Sequence, residues 1–230
     1  LPDKRAVDIT EDFMGNIWCV HEKGISKFYD GKYYNYDIKY GIPSNNVRAI
    51  KIDLINNIWF GTAEGVSVYN GIRFKNITTE HGLSHNSCND IAVDSSGNIW
   101  VGTDNGLNKI TRKNEDFEIK VLTTKDGLVS NSIMFVETDR TNNLWIGYDK
   151  GLNKIDLEDF KIQYYSELEG FTPLETYHRA VTVDMNNNVW IGTGNGLVRY
   201  IPDVDIIREN PPVTYITNFF VYGDTTDLLN

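Results

Sequence analysis

The chain has 230 residues, 40% hydrophobic and 23% charged, an ordinary globular composition with enough length to bury a real core. Its formal net charge of −10 argues against a nucleic-acid partner, whose phosphates need a basic footprint. Two cysteines make no disulfide framework, and no run approaches the ~18–20 apolar residues of a membrane span.

In chain order, one phrase returns five times. Trp18, Trp59, Trp100, Trp145 and Trp190 are separated by 41, 41, 45 and 45 residues. Six positions before each stands an aspartate: Asp12, Asp53, Asp94, Asp139 and Asp184. Two before stands an asparagine (Asn16, Asn57, Asn98, Asn143, Asn188), and six after a glycine (Gly24, Gly65, Gly106, Gly151, Gly196). A period of about 40–45 residues is one four-stranded propeller blade. The expected fold is therefore all-β: a β-propeller of four-stranded antiparallel blades, with five repeats over residues 1–207.

The second copy shows the unit. Residues 47–53 read as a first strand, 54–57 as a turn, 58–62 as a second strand, 66–69 as a third and 73–78 as a fourth. Asn70-Gly71 predicts a hairpin with a type I′ turn, which needs positive φ at both central residues. Three positions before each tryptophan only Gly15, Asn56, Gly97, Asn142 and Asn187 occur, the two residue types that best tolerate left-handed φ. The aspartate ends a strand, where its carboxylate can take backbone N–H groups of the turn. Replacing Asp94 or Asn98 is expected to cost on the order of 1 kcal/mol for one lost turn bond. The indole packs one blade on the next. Gly61, Gly102, Gly147 and Gly192 allow close approach, whereas the first copy has Val20 there. Cys19 and Cys88 read as unpaired core residues.

The connections between blades carry a second phrase, beginning at Gly41, Gly82 and Gly127, each 12 residues before its aspartate. Gly170 lies 14 before Asp184, so that connection holds two extra residues. Counting back 12 from Asp12 passes Leu1, so the chain is expected to be a segment of a longer array. After Tyr200 the pattern stops, and Asn210-Pro211-Pro212 breaks the backbone. Residues 208–230 are expected to be a linker and the first strand, near 213–222, of a following module.

The phrase G-L-x-S-N-x…D-x-x-G-N-x-W-x-G-T-x-x-G-L, best seen in residues 82–107 and 127–152, closely resembles the two-component regulator propeller repeat. The tail resembles the start of the immunoglobulin-like module that follows these propellers. The resemblance implies the periplasmic sensor region of a hybrid two-component system that detects glycan fragments. In that family two seven-bladed propellers lead through the module and one membrane helix to a cytoplasmic histidine kinase. It implies a non-enzymatic segment; no HExxH or other metal-ligand spacing is present, and no cofactor or metal is expected. It also implies a homodimer in the full-length protein and a membrane reached only through a downstream helix. Five blades would be part of a seven-bladed ring, an open arc with uncovered faces at its ends.

Candidate sites are few. Asp184 to Asn188 mimics the opening of a calcium loop, but the EF-hand type needs glutamate twelfth and Asn195 stands there. The same aspartate and asparagine recur in every turn, so the five aspartates and five tryptophans read as structural. His81 and His85 share a loop, but Gly82-Leu83-Ser84 between them reads as a turn rather than a metal-binding helix. No catalytic residues are assigned. Connections between blades and turns between second and third strands emerge on one propeller face, and there the copies differ. Arg48 stands against Asn89 and Arg179, His85 against Asn45, with Tyr177 and His178 in the longer connection and Tyr148 in an adjoining turn. Aromatic, amide and guanidinium groups suit an oligosaccharide. Two other classes remain open: a propeller lyase of the streptogramin-lyase type, and a purely structural or dimerising segment.

Overall fold

The structure, a computed structural model, describes residues 3, 5–114, 116–165, 176–194, 196–202, 218–221 and 224–227. The first blade comprises β1 (Asp8–Glu11), β2 (Ile17–His21), β3 (Gly24–Tyr29) and β4 (Lys32–Tyr36). The second comprises β5 (Val47–Ile52), β6 (Ile58–Thr62), β7 (Gly65–Tyr69) and β8 (Phe74–Ile77). The third comprises β9 (Cys88–Val93), β10 (Ile99–Thr103), β11 (Gly106–Lys113) and β12 (Asp116–Leu122). The fourth comprises β13 (Phe135–Thr138), β14 (Asn143–Gly147), β15 (Leu152–Asp156) and β16 (Ile162–Tyr165). In the fifth, β17 (Thr176–Val183), β18 (Val189–Thr193) and β19 (Gly196–Tyr200) are described. Each blade is an antiparallel meander in sequence order, and the first strands β1, β5, β9, β13 and β17 line the axis. Beyond them β20 (Asn218–Val221) pairs with β21 (Asp224–Asp227), within the region where the sequence suggests a different strand type. The linker expected from residue 208 lies largely outside the described residues.

The repeated turn is one hydrogen-bonded unit. In the third blade Asp94 Oδ1 accepts the backbone N–H groups of Ser96 and Asn98 at 3.0 and 2.9 Å. Its Oδ2 accepts Asn98 Nδ2 at 2.8 Å and Trp100 Nε1 at 2.9 Å. Asp12, Asp53, Asp139 and Asp184 repeat the pattern, each receiving its own asparagine and indole. One carboxylate thus satisfies a turn, a buried amide and a buried indole N–H, which explains why three residue types stay in register. The turn closes through left-handed residues at all five expected positions, from Gly15 at φ 79° to Asn187 at φ 63°.

Neighbouring turns are also laced together. Asn56 Oδ1 accepts Phe13 N at 3.0 Å, Asn142 Oδ1 accepts Ser95 N at 3.2 Å, and Asn187 Oδ1 accepts Arg140 N at 2.7 Å. Between the second and third blades the equivalent residue is Gly97, and Leu54 packs against it instead.

Each of the first four indoles is buried by the following blade. Trp18 lies against Phe60 and Tyr69, Trp59 against Phe117, Trp100 against Phe160, and Trp145 against Tyr200. A methyl group on Gly102 would come within 2.6 Å of Ile133 Cγ2, so the expected close approach between blades is real. Cys19 and Cys88 are buried and unpaired, as expected. The turn prediction at Asn70-Gly71 needs correction. The hairpin forms, but only Gly71 has positive φ, because Asn70 Oδ1 accepts Ile72 N and Arg73 N and holds a longer loop. The two-residue turn with positive φ at both positions is instead Asp30-Gly31 in the first blade.

The end faces differ from the inner seams. Leu197 is 66% exposed, whereas its counterparts Ile25, Val66, Leu107 and Leu152 are buried. Ile9 is 63% exposed, against buried Ile50, Ile91 and Val136. Trp190 is only partly buried, with Arg199 over its ring. Among the described residues, the leading sheet face of the first blade and the trailing face of the fifth therefore expose apolar positions that the inner blades bury. At the axis the ends approach, where Arg179 Nη1 donates to the Val7 carbonyl at 3.4 Å.

Candidate ligand site at the axial mouth

The first strand of three blades is interrupted at one repeat position. In β5 the register passes from Val47 to Ala49 and skips Arg48; in β9 it passes from Cys88 to Asp90 and skips Asn89. In β17 it jumps from Thr176 to Val181, and Arg179 within the gap has φ 55°. Such bulges bend a strand and re-aim the unpaired side chain. The slot reads Val7, Arg48, Asn89, Met134 and Arg179 around the axis, one residue per blade. Four of these five line a cavity of about 590 Å³ at the axial mouth, joined by His178, Asp104 and the Arg5–Glu22 pair.

Polar contacts hold the mouth in place. Arg48 Nη1 donates to Ser87 Oγ at 2.9 Å and to Asn89 Oδ1 at 3.1 Å. Asn89 Nδ2 donates to Asp104 Oδ1 at 2.7 Å and to the Ile133 carbonyl at 2.9 Å. Arg179 N bonds the Met134 carbonyl at 3.4 Å. Burial pushes the Asp104 carboxyl up, but its bonds with Asn89 and Ser87 and the charges of His85 and Arg48 outweigh that and hold it below the usual value. Desolvation, then Arg179 and Arg48, lower the His178 pKa.

Beneath the mouth the axis is filled by charge. Lys51 Nζ crosses from the second blade to Glu137 Oε2 in the fourth at 2.8 Å. Asp90 is buried, accepting Ile91 N at 2.9 Å and Val136 N at 3.0 Å. Desolvation raises its pKa to about 7 against the opposing pull of Lys51. Asp8, in the equivalent slot of the first blade, likewise accepts Ile50 N at 3.0 Å.

Of the seven residues singled out from sequence, Arg48, Asn89, His178 and Arg179 converge on the mouth. His85 and Tyr177 are exposed near that face but do not line the cavity. Tyr148 is a correction: it is fully buried, and its hydroxyl bonds Asn153 Oδ1 at 2.7 Å. It occupies the strand slot held by Thr62, Thr103 and Thr193 in other blades, so it is core rather than turn. Sequence reasoning passed over Lys51, Asp90 and Glu137. Their signal was present, since charged residues break otherwise apolar or small repeat positions at 49/90 and 51/137. Two further cavities, of about 730 and 240 Å³, both lie along the seam between the second and third blades. Among the described residues no three His, Cys, Asp or Glu side chains form a metal-holding group.

Residues 82–105 match the family described as the two component regulator propeller, so the third blade carries that repeat. No curated protein matches the chain. Among solved structures, the chain is similar to the extracellular domain assigned to a hybrid two component system of B. thetaiotaomicron. There the TM-score is 0.82 and the identity 24%, over 93% of this chain and 30% of that one. A second such domain from the same organism matches with TM-score 0.71 and 21% identity, over 89% of this chain and 28% of that one. Virginiamycin B lyase of Staphylococcus aureus matches with TM-score 0.65 and 20% identity, over 84% of this chain and 68% of that one. At these identities the likeness is one of fold. The chain spans about 30% of the length of the extracellular domains it resembles. Among the described residues no helix is long and apolar enough to cross a membrane.

Proposed function

We propose that this segment is an extracytoplasmic, periplasmic sensor element of a hybrid two-component signalling protein, and that it binds a glycan fragment at the axial mouth. The single observation that carries the reading is the bulged slot. A scaffold that repeats its turns almost unchanged places four different residue types at this one position across five blades and aims three of the side chains into a common cavity. Structural repeats need sameness, whereas recognition needs difference. The repeat in the third blade and the fold shared with extracellular domains of two-component systems support the signalling context. Signalling by a histidine kinase and dimerisation belong, on this reading, to the longer protein.

The test is calorimetric titration of the chain with oligosaccharide fragments, followed by the triple variant Arg48→Ala, Tyr177→Ala, Arg179→Ala. Binding that survives the triple variant unchanged would rule out the mouth. The fold shared with a lyase motivates a second reading, a propeller lyase. Metal-dependent cleavage of a lactone or glycan by the purified chain would favour it.

A further inference from the structure

The mouth does more than offer hydrogen bonds. We infer that it reads an acidic saccharide, taking a sugar carboxylate on the guanidinium edges of Arg48 and Arg179; the inference rests on the glycan reading above.

Arg48 uses Nη1 for both of its described bonds, to Ser87 and Asn89. A guanidinium carries about five N–H donors in a rigid plane. The Nε and Nη2 edge, the pair that matches a carboxylate, therefore has no described acceptor. Because Nη1 is tied twice, that edge is already oriented. Arg179 repeats the arrangement: Nη1 bonds the Val7 carbonyl, and Nε and Nη2 have no described acceptor. Both arginines line the same cavity, together with His178.

No carboxylate pairs directly with either of these two arginines among the described residues, whereas Arg5 at the same mouth is paired with Glu22. Asp104 is held by Asn89, whose amide stands between it and Arg48. The mouth is lined by three arginines against two carboxylates, Glu22 and Asp104, a net positive spot on a chain of net charge −10. Bidentate arginine–carboxylate pairs are short, oriented and roughly twice as strong as neutral hydrogen bonds. Preorganised donors lower the ordering cost of binding. A saccharide carrying only hydroxyl groups would leave both edges without their charge complement.

The experiment compares glucuronate- and galacturonate-containing disaccharides with the same disaccharides after reduction of the carboxyl to an alcohol. Isothermal titration and amide-shift mapping are run on the wild-type chain and on Arg48→Gln and Arg179→Gln. A glycan-binding mouth of the inferred kind binds a uronate form at least tenfold more tightly than its reduced form. Each glutamine variant removes that preference, Arg48→Lys recovers only part of it, and 0.5 M salt weakens the uronate alone. Equal affinity for uronate and reduced forms overturns the acidic-ligand inference and leaves the glycan reading standing. Binding that shifts no amide at the mouth, or no binding by either set, overturns both. The glutamine variants are checked for a wild-type amide spectrum, and Arg48→Lys supplies the readout if one of them misfolds.

Discussion

The two ends of each axial strand obey opposite rules. One end runs into the Asp–Asn–Trp turn, which is chemically the same in all five blades. The other runs into the bulged slot, where five blades carry Val7, Arg48, Asn89, Met134 and Arg179. At the turn end the carboxylate is satisfied internally by groups two, four and six residues away. At the bulge end donors point into a cavity and two guanidiniums keep open edges. Sameness marks what holds a blade together, and difference marks what faces outward. Substitutions at the two ends should therefore separate stability from binding.

The largest effect is expected at Trp100. It is fully buried between the third and fourth blades, and Trp100→Ala should cost about 3–5 kcal/mol in urea unfolding. Trp190→Ala should cost under about 2 kcal/mol, because among the described residues no following blade lies across its indole, which is already partly exposed. Equal costs would mean that the trailing face of the fifth blade is covered in solution.

Next comes Asp94→Ala. One turn bond alone suggests about 1 kcal/mol, but the carboxylate accepts four hydrogen bonds, and its loss strands Asn98 Nδ2 and Trp100 Nε1. About 3 kcal/mol is expected, read from the shift in denaturation midpoint. A loss near 1 kcal/mol would show that water replaces the carboxylate.

How much of this was legible follows from the same division. The blade count, the left-handed turn positions and the burial of Cys19 and Cys88 could be read directly because repetition displays each slot five times. The Asp–Asn–Trp bond network was half visible: its members were in register, but not that one carboxylate serves all of them. The mouth was legible as variation at Arg48, Asn89 and Arg179, while the bulge that aims them has no sequence marker beyond that variation. Tyr148 was misplaced because a tyrosine in a threonine slot looks like a turn substitution until the strand alignment is known. The charges at Lys51 and Glu137 stood out in their repeat slot, but their pairing could not be read, since contact across the axis depends on how closely the blades gather.

A pH measurement sharpens the comparison within the axis. Asp90 has a folded pKa of about 7 against an ordinary 3.8, so the folded state binds its proton more tightly than the unfolded one. Its contribution is fully present below about pH 4 and is lost as pH rises to about 7. Thermal midpoints of Asp90→Asn should lack this component of the decline across that window. Asp184 works oppositely: bonds from Asn188 and Trp190 hold it down to about 2, so its contribution is present above pH 4 and fades as pH falls toward 2.

The smallest stability effect is expected at the mouth. Arg48→Gln should change unfolding free energy by about 1 kcal/mol or less, since its exposed edge makes no described contact. A cost like that of Asp94→Ala would erase the distinction between the two ends and make Arg48 a structural residue.

Gly97 gives the array uneven stiffness. Three of the four turn-to-turn ties are made by an asparagine, and the tie that glycine cannot make falls between the second and third blades. The amide of Leu54 has no described acceptor there, and both side cavities open along the same line. Bending strain applied to the arc would concentrate at that seam, as in a chain of rivets with one left out. Deuterium should enter the Leu54 amide before those of Phe13, Ser95 and Arg140. Arg48 and Asn89 sit on opposite sides of the seam, and their hydrogen bond at the other face is the tie that stands in for the missing rivet.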